Sequence, residues 1–333
     1  MKSLSKKISI FILLSIIVFI AIVLYNQKQI MNPVRRVLQA YHYEWLEHPS
    51  EHNLKIIKDN KYPHILIVIH DANVTLSKRS RAIKEQLNSI GFDDAQLKNN
   101  GIIVMFHGKN GRKEDLLPVA ERYVTAGFVC VLVDLPAHGE NMKERYAYAQ
   151  SDERFIYDET LAVVKNYIVL NGKPIYLWGM SLGGAYAIAS ALPEKRGLLE
   201  PKALILVSTF DKLSYVLEEK SVNIFGTYLG EAFYKSLLLS LKLFYDFDPE
   251  KSDSTASANS LTLPLFMLHG KKDELIGYEH GEKLFKSFSS TEKEFHLDEN
   301  GDHHNILITD YPFYLKSIEF LLKQNFRRSY AGK

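Results

Sequence analysis

Ser181 stands in Gly179-Met180-Ser181-Leu182-Gly183-Gly184, a spacing of small residues around one hydroxyl that suits nucleophilic chemistry. The apolar run Ile175-Tyr176-Leu177-Trp178 precedes it and Ala185-Tyr186-Ala187-Ile188-Ala189 follows. A buried strand therefore turns into a helix of small residues, with the serine at the corner. So sharp a turn strains the serine backbone, and side chains two positions to either side would collide with it. Glycine at 179 and 183 removes both side chains. The hydroxyl then projects beyond the sheet at the positive end of the following helix.

A serine hydroxyl is a weak nucleophile until a histidine takes its proton and a carboxylate holds that histidine in the right tautomer. In parallel sheets ligands sit beyond the carboxyl ends of the strands, so partners are sought there. Candidates are His107-Gly108-Lys109-Asn110-Gly111, Asp134-Leu135-Pro136-Ala137-His138-Gly139 and Phe210-Asp211. Later in the chain come His269-Gly270-Lys271-Lys272-Asp273 and Gly301-Asp302-His303-His304-Asn305. Each follows a short apolar run, and a serine, an acid and a histidine occur at strand ends in that order.

The elements that must position these residues are legible as a rhythm. Apolar runs predict strands at 65–69, 102–106, 128–133, 175–178, 203–207, 265–268 and 294–297. Amphipathic spacing predicts helices at 78–90, 113–126, 153–171, 228–245, 278–288 and 311–325, besides the helix after Ser181. Continuous apolar strands alternating with such helices indicate an α/β domain, its mostly parallel sheet covered on both faces. Residues 28–64 are a connector without a period that joins the sheet edge, and Ser252–Ser260 reads as a loop. Between about 210 and 261 the aromatic and leucine content suits a small cap over the site, with helix 228–245 apolar on too many sides for a surface helix.

The sequence resembles the α/β-hydrolase superfamily over roughly residues 100–326. Four motifs in the family's order carry the resemblance: His107-Gly108, the Gly179–Gly183 elbow, His269-Gly270-x-x-Asp273 and the late histidine loop. The resemblance implies an α/β-hydrolase fold, 65–330, with Ser181 as nucleophile, Asp273 as acid and His303 or His304 as base. Motif registry favours His303 over His304. Asp211 is the alternative acid, and Asp302 reads as a loop cap. The amides of Leu182 and Lys109, with Asn110 as an alternative to Lys109, would form the oxyanion hole. His107, His138 and His269 read as loop braces rather than catalytic groups.

Composition bounds the rest. With 46% hydrophobic residues the chain can bury a large core, and a net charge of +2 recruits no nucleic acid. The single cysteine, Cys130, lies in an apolar run and reads as a core residue. No phosphate-binding loop, dinucleotide fingerprint or metal-binding helix spacing occurs, so neither cofactor nor metal is expected. Ile8 to Gln27 form 20 uncharged residues after a short basic tail, 1–7. As a helix they span about 30 Å, one bilayer core. This reads as a single-pass, uncleaved signal-anchor rather than a cleaved signal peptide. Lys2, Lys6 and Lys7 tilt the orientation toward a cytoplasmic N-terminus and an extracytoplasmic catalytic domain.

The expectation is a membrane-anchored serine hydrolase acting on an acyl ester or thioester, of the esterase, lipase or thioesterase kind. A serine peptidase of the same fold is the nearest alternative. A non-catalytic hydrolase-fold binding protein is the alternative from a different class.

Overall fold

The computed structural model describes residues 2–143, 147–150, 153–167, 173–192, 200–309 and 311–331. Eight strands form one sheet: β1 (Leu54–Lys58), β2 (Ile65–His70), β3 (Gly101–Phe106), β4 (Phe128–Val133), β5 (Ile175–Met180), β6 (Pro201–Val207), β7 (Leu265–Gly270) and β8 (Lys293–Asp298). Their order across the sheet is β1-β2-β4-β3-β5-β6-β7-β8. Strand β2 runs antiparallel to β1 and β4, and every other pairing is parallel. This is the α/β-hydrolase fold.

The strands form where the apolar runs lie, and β3 and β7 are buried at every position. A strand can be buried on both faces only if helices cover both, which is why these runs do not alternate. Helices α3 (Lys78–Ser89), α4 (Leu117–Thr125) and α12 (Tyr311–Ala331) contribute Leu87, Tyr123 and Leu321 to one core with Met105, Trp178 and Phe266 from the strands. Three more helices, α5 (Glu153–Tyr167), α6 (Leu182–Ser190) and α10 (Tyr278–Ser287), also pack on the strands, and a short helix, α11 (Ile306–Thr309), packs on α12. Cys130 is fully buried in this core, which pushes its thiol pKa up.

Three segments differ from the sequence expectation. The connector joins the sheet edge, but it does so as a regular strand, β1, and holds a helix, α2 (Ala40–Glu47), so the sheet starts ahead of residue 65. Strand β1 carries lysines at 55 and 58 and covers one edge, so its apolar signal is weak. It closes on β2 through an Asx turn, in which Asp59 accepts from the Lys61 and Tyr62 amides at 2.7 and 2.9 Å. The 113–126 helix begins as a 3-10 turn over Lys113–Leu116, and α4 restarts at Leu117 because Pro118 offers no amide hydrogen. Within the expected loop, Asp253 caps a short helix, α9 (Ser254–Ala258), by accepting from the Ala256 amide at 2.9 Å.

The described chain divides into two compact units. Residues Val34–Asp211 and Asp253–Lys333 form the one that holds the sheet. Residues Met1–Pro33 and Lys212–Ser252 form the other, made of α1 (Lys2–Met31), α7 (Leu213–Phe225) and α8 (Thr227–Tyr245). There α1 is one helix long and apolar enough to cross a membrane, and its residues from Ile8 to Val18 are exposed. Its C-terminal part packs on α8. Phe19 meets Phe233 edge-on at 6.1 Å, the Ser240 hydroxyl donates to the Gln27 side chain, and the Asn32 amide donates to the Tyr245 oxygen at 3.3 Å.

Phe266 is fully buried on β7, with ring centroids 5.6 Å from both Phe313 and Phe320 of α12. Phe266→Ala is expected to lower the unfolding free energy by about 3–5 kcal/mol in urea titration. A loss under about 1 kcal/mol would contradict this packing.

Candidate active site

The strand β5 to helix α6 turn brings Ser181 to φ 54° and ψ −120°, a region that side-chain-bearing residues rarely occupy. Two hydrogen bonds hold it there. Its amide donates to the Val207 carbonyl at 2.8 Å, and its carbonyl accepts from the Gly184 amide at 2.9 Å. The glycines act by close approach. A Cβ at Gly179 would lie 2.3 Å from the Gly183 oxygen, and one at Gly183 would lie 2.1 Å from the Phe106 oxygen. Gly184, which sequence reasoning did not single out, is as constrained: its Cβ would lie 1.9 Å from the Thr209 hydroxyl.

Asp273 follows β7 and His303 follows β8, on the same carboxyl edge of the sheet as Ser181. His303 is buried and its Nδ1 lies 2.7 Å from Asp273 Oδ2. The other carboxylate oxygen accepts from the amides of Leu275 at 3.0 Å and Ile276 at 2.8 Å. Burial opposes the charge on Asp273, but hydrogen bonds from His269 and His303 and the Ile276 amide hold its pKa well below the usual carboxylate range. An ionised Asp273 fixes the proton on His303 Nδ1 and leaves Nε2 free to act as a base.

The neighbouring candidates have other partners. His304 is exposed. Asp302 caps the loop as expected, accepting from the His304 and Asn305 amides at 2.8 Å each. Asp211 does not reach His303's partner position; it is 2.6 Å from His280 Nδ1 and 2.9 Å from Lys283 Nζ, both on α10. His269 is buried beside Asp273, its Nε2 donating to the Ile276 carbonyl at 2.9 Å, so it braces the acid loop.

The turn after β3 lies against Ser181: a Cβ at Gly108 would be 3.4 Å from Ser181 Cβ and 4.0 Å from its Oγ. Gly111 donates to the Gly108 carbonyl at 3.0 Å and Asn110 has φ 61°, a tight turn with its left-handed residue third. Lys109 occupies the second position of this turn. Leu182, at the start of α6, is 1% exposed. His107 ties the turn to the next strand end. Its Nδ1 donates to the Gly108 carbonyl at 2.7 Å, and its Nε2 accepts from the Leu135 amide at 3.1 Å. Beside it Lys113 and Asp134 are both wholly buried and paired at 3.0 Å, a buried ion pair that no sequence motif signalled.

The sheet order, the strained Ser181 turn and the Asp273–His303 pair define the chain as an α/β-hydrolase. A family model described as Serine aminopeptidase, S33 matches residues 98–249 and 239–308, more than half of the chain, which therefore belongs to that family. Among characterised relatives, the thermostable monoacylglycerol lipase of Bacillus sp. (strain H-257) is 23% identical over 66% of this chain and 90% of its own length. The lysophosphatidylserine lipase ABHD12 of Mus musculus is 24% identical over 58% of this chain and 47% of its own length. Among solved structures, the Pyrococcus furiosus esterase Pf2001 superposes with a TM-score of 0.58 at 15% identity, covering 88% of this chain and 97% of that one.

Burial drives the His107 pKa down from 6.5 to about 4, and it lowers the His138 pKa to about 3. Both are neutral in the folded state, while the unfolded chain binds their protons below about pH 6.5. Their contribution to stability is full above the unfolded pKa and is lost as pH falls toward the folded one. Unfolding free energy should therefore drop as pH falls from about 7 to about 4, with a smaller drop in His107→Gln. An equal slope in the variant would show that this imidazole does not carry the effect.

Proposed function

We propose that this chain is a serine hydrolase that cleaves a carboxylic ester or thioester through an acyl-enzyme on Ser181. The observation that carries the reading is the buried His303–Asp273 hydrogen bond of 2.7 Å on the edge of the sheet where the strained Ser181 turn projects. Ser181 Oγ attacks the acyl carbon while His303 Nε2 takes its proton. Negative charge develops on the acyl oxygen, toward the amides of Leu182 and Lys109. His303 returns the proton to the leaving alcohol or thiol. A water, deprotonated by His303, then attacks the acyl carbon, and Ser181 departs with the proton restored. Asp273 stays ionised throughout and keeps the imidazole in the working tautomer.

Relatives named as lipases support an ester as the substrate. The family's printed description keeps a peptide or aminoacyl amide as the second reading. A fluorophosphonate probe should label the wild-type chain and fail on Ser181→Ala. His303→Ala and Asp273→Asn should lower kcat on short p-nitrophenyl esters by about 10³-fold or more. Persistent labelling of Ser181→Ala would overturn the assignment, and faster turnover of aminoacyl anilides than of every ester tried would move it to the peptidase reading.

In this reading α1 anchors the chain in a membrane with its lysine-rich start on the cytoplasmic side and the hydrolase domain outside. The full chain should remain in the membrane pellet after alkaline carbonate washing. Protease added to the outer face of intact cells should remove the hydrolase domain. Extraction by carbonate, or protection from that protease, would refute the anchor or its orientation respectively.

A further inference from the structure

Residues 34–42, which follow the apolar helix, direct several polar groups to residues 110–115, while Arg35 reaches Asn141 and Met142 after β4. The Val34 amide donates to the Asn110 side-chain oxygen at 2.9 Å, and the Arg36 carbonyl accepts from the Arg112 guanidinium at 3.0 Å. Three side chains of the segment then converge on one carboxylate. Asp115 accepts from the Tyr41 hydroxyl at 2.8 Å, from His42 Nε2 at 2.7 Å and from Arg36 at 3.2 Å. His42 is fully buried, and its Nδ1 accepts from the Gln39 amide at 2.8 Å, so the proton sits on the nitrogen that faces Asp115.

Asp115 passes this hold to the turn. Its second oxygen accepts from the Arg112 amide at 2.9 Å, and a Cβ on Gly111 would lie 3.4 Å from that oxygen. Arg112 is further tied to Glu114 at 2.6 Å, and the Lys113 amide donates to Asp134 at 2.7 Å. Asn110 thus holds its left-handed backbone with its side chain clamped by the segment, directly after Lys109. Burial works against a charged Asp115, but the hydrogen bonds from Tyr41 and His42, the Arg112 amide and the Arg36 charge together hold its pKa below the usual value. Partial burial, with the Asp115 hydrogen bond, pushes the Tyr41 pKa up to about 12. The carboxylate is therefore a charged hub rather than a neutral surface group.

We propose that the 34–42 strap sets the position of the Lys109 amide in the oxyanion hole, with Asp115 as the positioning residue that transmits it. This rests on the serine-hydrolase reading above. Oxyanion donors must sit within a few tenths of an ångström of the developing charge, so contacts that reinforce the turn's own Gly111–Gly108 hydrogen bond and its His107 brace bear on catalysis. The strap adds such contacts from outside the turn, at Asn110 and through Asp115. Ground-state binding needs no such precision, so a loosened turn costs kcat and leaves KM nearly untouched.

The test compares the full-length wild-type chain with Asp115→Asn and Tyr41→Phe on a p-nitrophenyl ester and on a trifluoromethyl ketone, whose serine adduct carries an oxyanion. Asp115→Asn should lower kcat by about 10- to 100-fold with KM within about threefold, and weaken the ketone by a matching factor. Tyr41→Phe, which removes one donor and keeps the ring, should show the same pattern at about 3- to 10-fold. Both variants should still be labelled to completion by a fluorophosphonate, only more slowly. Wild-type kcat and ketone affinity in folded Asp115→Asn would overturn the proposal, and so would a loss confined to thermal stability. Where Asp115→Asn does not fold, Tyr41→Phe decides alone, and an unchanged kcat and ketone affinity there would overturn it. Failure of the wild-type chain to label at Ser181 would instead count against the serine-hydrolase reading.

Discussion

The carbonyl of Phe106, at the end of β3, lies so near Gly183 that any side chain there would sit 2.1 Å from it. This close approach of helix α6 to the sheet governs the centre of the molecule. It brings the first turn of α6 against the end of β3, so the Ser181 corner and the turn that follows β3 share one surface. It also accounts for the cost at Ser181, whose φ of 54° is unfavourable by roughly 1–3 kcal/mol and persists only because its surroundings over-determine it. The surroundings here are the paired strands β5 and β6, the Val207 carbonyl that accepts the Ser181 amide, and Thr209 pressed against Gly184. Relaxing the corner would require moving two strand ends and a helix together.

The charged groups around this corner follow the same logic of over-determination. Lys113 and Asp134 are wholly buried, and taking both from water costs more than their mutual attraction returns unless further hydrogen bonds complete them. Asp134 accepts from the amides of Lys113 and Glu140 as well as from the Lys113 ammonium, and that ammonium also reaches Glu114 at 2.9 Å. Burial still dominates at Asp134 and raises its pKa, whereas Asp273, richer in donors, is shifted down. The contrast separates two uses of a carboxylate. Asp134 joins the loops after β3 and β4 at a fixed register, and Asp273 holds an imidazole.

What the sequence made legible were elements that carry their own signal. Six apolar strand runs, the helix spacing and the glycines flanking Ser181 need no distant partner to be recognised, and they give the α/β-hydrolase fold. Strand β1 is amphipathic with two lysines, so its place in the sheet depends on β2, which cannot be read from five residues. Histidines 303 and 304 look alike as a pair. Burial and Asp273 distinguish them in space. Asp211 had the right position after a strand and the wrong neighbour, because His280 and Lys283 reach it from a helix far along the chain. The contacts of His42 and Tyr41 with Asp115 were hidden for the same reason: polar residues without a period reveal nothing until the fold supplies their partner.

The way the first residues of the sheet-bearing unit are used has a consequence for where that unit begins. Counted by strands it starts at Leu54, and a chain shortened to that point would keep all eight strands and every glycine of the Ser181 corner. It would nonetheless shed Val34, Arg36, Tyr41 and His42 and take from Asp115 the three side-chain donors that this segment supplies. The boundary drawn by secondary structure and the boundary drawn by hydrogen bonding therefore differ, and the second one lies immediately beside the end of the apolar helix.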